Sequence, residues 1–189
     1  MDIQSSISAD ELAGRLISVV VFNEATKHIL NHPHGDEKIE QMNSKALYEL
    51  GFLSLYAIMA TCLAHPLLRN NQKDAHRFAD LVQSAFLSVI VEKDKPEIRA
   101  ARIEKINKDF IQRWGRYNAV VNQINSCKDN EKYVIEFEKI VNEFLGNNET
   151  VEKIKARLNK VNAGGWYLFL HLRADDTRKI LDKYNSIIF

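Results

Sequence analysis

Glu24, His28 and His32 carry the sharpest chemical potential in this sequence of 189 residues. Spaced four apart, they share one face of a helix. Two imidazoles at i and i+4, with a carboxylate one turn earlier, are donors that zinc or nickel accepts when further ligands complete the shell. His34 follows just beyond. The pattern lacks the glutamate of H-E-x-x-H, and no E-x-x-H pair points to a di-iron bundle. The competing reading is a polar stripe near a helix C-terminus, where the macrodipole stabilises histidine.

A second group is basic. At 100° per residue, Lys95, Arg99, Arg102, Arg113 and Arg116 fall within about a third of one helix circumference, beside its apolar stripe. Such a row could contact successive phosphates of a nucleic acid. Asp109 lies in the same sector and opposes this, and no helix-turn-helix, zinc-finger or RNP pattern accompanies the row. A solvated face paired with local acids is the ordinary alternative. A third group is the apolar tail Ile187, Ile188 and Phe189, which must either dock on the fold or offer a contact to another protein.

The remaining candidates are less pointed. His65, His76 and His171 are isolated, with no nucleophile or orienting carboxylate placed beside them by spacing. Phosphate-cradling glycine patterns and a G-x-S-x-G elbow are absent, so no catalytic residue and no cofactor are expected. Cys62 and Cys127 form no C-x-x-C pair and fit a reducing compartment. Phe110, Trp114, Tyr117, Trp166, Tyr167 and Phe169 could line a cavity for an apolar ligand, but at helical spacing aromatic residues are ordinarily core.

The elements that must position these residues are helices. Seven glycines and three prolines in the whole chain are too few for a many-stranded sheet with its turns. Ser8 to Glu11 is a capping box that starts a first helix, expected to run to about Asn31, before Pro33 and Gly35. A second opens near Asp36 and carries the long apolar run Leu50 to Leu68, ending before Pro66. That run is long enough for a bilayer span. Ser54, Tyr56, Thr61, His65 and Pro66 interrupt it, its flanks lack clustered bases, and several amphipathic helices need a partner to cover, so a buried central helix is the favoured reading.

Further helices are expected from Asn71; from Asp94-Lys-Pro-Glu97, with Asp94 as cap; from Asp129 to the stop at Gly146; and from Val151, with Asn147 or Asn148 as cap. Trp166 to Leu172 reads as strand or buried helix; helix is chosen because no partner strand is visible. Asp175 or Asp176 is expected to cap a last helix ending near Tyr184.

The fold expected from this pattern is all-α: a bundle of six to eight helices around one apolar central helix, forming a single domain over 1–189. The net charge is +1, but acids dominate residues 1–60 and bases dominate 95–116, so an electrostatic partner meets two different faces. The function expected is a non-enzymatic, cytoplasmic protein–protein interaction or regulatory module, with self-association as a homodimer and the tail as first contact. A metal- or small-ligand-binding bundle using Glu24, His28 and His32, with an enzyme among its forms, is the alternative. A nucleic-acid-associated protein using the basic row stands third.

Overall fold

At Ser8 the expected cap forms: its hydroxyl accepts the Glu11 N–H at 3.2 Å and opens α1, Ala9–Leu16. In this computed structural model, residues 6–22, 37–127, 130–161 and 165–189 are described, with no side-chain detail for 37–44, 160 and 161. Helix α1 widens into a π-helical turn over Ile17–Val21, and Phe22 leaves helical geometry at φ −102°. The single helix expected from Ser8 is thus interrupted at Phe22, and its expected end near Asn31 lies outside the described residues. Three successive β-branched valines, Val19 to Val21, crowd the preceding turn and weaken the regular ladder there.

Seven more α-helices follow among the described residues: α2 (Glu37–Ala64), α3 (Pro66–Arg69), α4 (Gln72–Ile90), α5 (Pro96–Ser126), α6 (Glu131–Leu145), α7 (Val151–Val161) and α8 (Gly165–Leu181). The chain is an all-α multi-helix bundle, as its pattern indicated. Asn71 caps α4 by accepting the Lys73 and Asp74 N–H groups. Two other expected caps are corrected. Lys95, with no side-chain bond, occupies the cap position of α5, while Asp94 pairs with Arg102. The hydroxyl of Thr150, rather than Asn147 or Asn148, accepts the Lys153 N–H at the start of α7.

Helix α8 runs unbroken through Asp175 and Asp176, which were expected to start a separate helix. Their carboxylates pair along it instead, Asp175 with Arg178 and Asp176 with Arg173. Trp166 to Leu172 is helical, as expected. A two-residue parallel pairing joins β1 (Ile7–Ser8) to β2 (Ile187–Ile188), with Ile7 opposite Ile187.

Helix α6 ends on Gly146 at φ +77°, a left-handed conformation that a Cβ disfavours. Space is not the constraint, since a Cβ there would meet only Lys45 Nζ at 3.8 Å. Gly146→Ala is expected to lower stability by about 1–2 kcal/mol, read from the urea midpoint with an unchanged slope.

The apolar run explains itself once the core is seen. Phe52, Leu55, Ile58 and Cys62 face one cluster, shared with α1, α4 and the start of α5; Leu53, Tyr56 and Ala57 face a second, shared with the rest of α5, α6 and α8. At 100° per residue these two sets point to nearly opposite sides of α2. A helix covered on two sides must be apolar nearly all round. By length and composition the stretch Lys45–Ala64 could cross a bilayer; 56% of its apolar window is buried inside the bundle. Trp114 packs against both clusters and continues an aromatic series from Phe110 to Trp114, Tyr56, Tyr117 and Phe137, with neighbouring centroids 4.9–5.9 Å apart.

Candidate functional site

Where α2 and α8 run side by side, a groove of about 820 Å³ opens, closed at one edge by the end of α5. Its floor is built from small and aliphatic side chains: Ala57, Ala60 and Ala64 on α2, Leu170 and Ala174 on α8, and Val121 on α5. The alanines recur at helical spacing, which lowers a whole strip of α2 below its neighbours. Polar groups form the rim: His65 and Thr61 on one side, His171, Arg178 and Asp182 on the other, with Asn125 and Asn185 at the ends. An apolar trough with a polar border is the usual build of a binding surface.

The ionisable groups of the rim are already engaged. His65 Nδ1 accepts the Leu67 N–H at 3.3 Å, which caps α3, so Nε2 carries the proton and donates it to Asp182 at 3.0 Å. Neither ring nitrogen retains a lone pair for general-base work. Arg178 bonds Asp175 at 2.6 Å, and the Tyr184 hydroxyl accepts from Arg15. The His171 ring meets the edge of Tyr167 at 4.5 Å, and burial holds the Tyr167 phenol above its usual pKa. The polar rim is tied to the fold through these bonds.

No protein-family model, no curated protein and no solved structure matches the chain. Its site is thus read from its own geometry.

Of the residues singled out by spacing, Glu24, His28 and His32 lie outside the described residues. Among the described residues no three His, Cys, Asp or Glu side chains gather as a metal-binding group.

The basic row is divided. Lys95 is exposed, and Arg99 donates to the backbone carbonyl of Asp94 at 3.1 Å. Arg102 is taken by Asp94, and Arg116 by Glu143 at 2.6 Å. Arg113 is corrected as a surface contact. Only 8% exposed, it donates to Glu49 at 2.7 Å and lies between the rings of Phe52 and Phe144 at 4.6 and 4.2 Å. Three of the five guanidinium or ammonium groups placed in the row are therefore spent on carboxylates of this chain, Arg102, Arg113 and Arg116.

The tail is docked in part. Ile187 pairs with Ile7, and the Phe189 ring meets Phe78 edge-on beneath Arg77. Ile188 stays exposed.

Two buried carboxylates escaped the reading of the sequence. Glu49 is 1% exposed, and its Oε1 has no partner among the described residues. Burial pushes its pKa up to about 7; Arg113 opposes this and Asp109 adds to it. Glu138, fully buried, accepts the Tyr167 N–H at 2.8 Å in the first turn of α8 and the Arg157 guanidinium at 3.0 Å. Each had a signal. Glu138 interrupts the apolar stripe Val134, Val141, Leu145, and Arg113 interrupts Ile106, Phe110, Tyr117. A charge at a stripe position calls for a buried partner.

Proposed function

We propose that this chain is a non-enzymatic protein-interaction module whose α2–α8 groove receives an amphipathic helix of a partner protein. The observation that carries this reading is the shape and chemistry of the groove: a trough, with an alanine floor and a rim of side chains already tied into the fold. Along α2 it reaches from Tyr56 to Ala64, about 12 Å, and along α8 from Tyr167 to Arg178, about 16 Å, at 1.5 Å per residue. Two to three turns of helix, at about 5.4 Å each, fit that length. A helix laid against small residues approaches closely, and its apolar anchors at i, i+3, i+4 and i+7 meet the floor. An aqueous, reducing compartment, the cytoplasm, belongs to this reading and is consistent with two free cysteines, one of them buried.

A photo-crosslinking residue placed at Thr61 is expected to trap a partner protein through a helical segment, and the same group at Lys139, exposed on α6, is not. Filling the groove with Ala60→Trp should abolish the adduct. Equal trapping from both positions, or trapping that survives Ala60→Trp, overturns the proposal. A small organic molecule retained by the purified chain in native mass spectrometry, lost in Ala60→Trp, replaces it with a small-ligand reading.

A further inference from the structure

Helix α5 turns one face entirely to solvent. Glu97, Ala100, Glu104, Lys108, Ile111 and Gly115 follow at spacings of three and four, and all are exposed. Ile111 is 69% exposed, the most among the large apolar side chains described. It borders a shallow trough of about 490 Å³ formed by this helix face itself. Gly115 stands mid-helix, where glycine is less favourable than alanine, yet a Cβ there would meet nothing within 4 Å among the described residues. Internal packing therefore gives no reason for the glycine. Neither Glu104 nor Lys108 has an ion-pair partner among the described residues.

We propose that two copies of this chain associate through these faces, with their α5 helices antiparallel and the two-fold axis midway between Glu104 and Lys108. Charge decides the occupant and the direction. In the antiparallel register Glu104 of one copy faces Lys108 of the other, and symmetry makes the pair twice. A parallel register would place Glu104 on Glu104 and Lys108 on Lys108. The same axis sets each Ile111 over the small pair Ala100 and Ala101, and each Glu97 over Gly115, where the absent side chain lets the helices close. Residues 97–115 span about 27 Å at 1.5 Å per residue. One helix face of that length buries roughly 1,000 Å² in total, at the low end for a specific interface, so the association is weak and reversible.

Sedimentation equilibrium across the micromolar range, on the full chain, is expected to show a monomer–dimer equilibrium. Ile111→Glu should weaken it on the order of tenfold or more, with an unchanged circular dichroism spectrum because the site is on the surface. Lys108→Glu alone should weaken it, and Lys108→Glu combined with Glu104→Lys should restore it, since the swap preserves the opposite-charge pair in the antiparallel register. A chain monomeric at every concentration, a dimer indifferent to Ile111→Glu, or a charge swap that fails to restore what Lys108→Glu lost overturns the proposal.

Discussion

Leu55→Asp is expected to leave the chain unfolded. Leu55 is 1% exposed and sits in the apolar cluster with Phe52, Ile58, Phe78 and Phe86. An unpaired charge in such a place costs several kcal/mol beyond the lost apolar contacts, against a typical total stability of roughly 5–15 kcal/mol. The effect should spread to both clusters, because α2 contributes buried side chains to each. Far-ultraviolet circular dichroism should lose most of its helical signal, with no cooperative transition in urea. Leu55→Ala, which removes contacts without adding charge, should fold and lose about 2–5 kcal/mol. If Leu55→Asp keeps a cooperative transition near that of the parent chain, α2 is not the centre of the bundle.

The second large effect concerns Glu49 and Arg113. Arg113→Met should destabilise the fold by about 3–5 kcal/mol at pH 8, because it strands a buried carboxylate whose Oε1 has no other partner among the described residues. The loss should be smaller at pH 5.5, where Glu49 takes up a proton. The parent chain has its own pH dependence from this group. Glu49 is raised from 4.5 to about 7 in the fold, so the folded state binds the proton more tightly than the unfolded chain does. Its contribution is therefore fully present below pH 4.5 and is lost as pH rises through 7, a change of about 3 kcal/mol. Urea midpoints between pH 5 and 8 should fall with rising pH, and Glu49→Gln should flatten that slope, since glutamine still accepts the Arg113 Nε–H and does not titrate. An equal slope in both chains would show that Glu49 ionises normally.

Much of the secondary structure was legible because its signals are local. Ser8 with Glu11, Asn71 and Gly146 act through atoms within a few residues of themselves, so the sequence carries the whole of their cause. Local signals also misled where a tertiary partner outbid them. Asp94 looks like a helix cap, but Arg102 lies within its reach on the next turns of α5. Asp175 and Asp176 look like a helix start, but i,i+3 pairing with bases on the same helix and the burial of Thr177 keep α8 continuous. The aromatic series on α5 had the right periodicity for core, and Phe110 and Tyr117 are core.

The sequence by itself determined the all-α class, the central place of the apolar run and most helix boundaries, since periodicity and capping depend on neighbours along the chain. Only the tertiary structure decided which charges are available to solvent and which are spent. Arg113 belongs by spacing to a basic row, yet it is removed from the surface by Glu49, 64 residues away, and by two rings from different helices. The groove likewise exists only because α8 returns to lie along α2, so that alanines, which look unremarkable within either helix, become its floor. Side-chain periodicity says which face is apolar; the packing of one helix on another says what that face meets, and pairings between residues far apart in sequence leave no local trace.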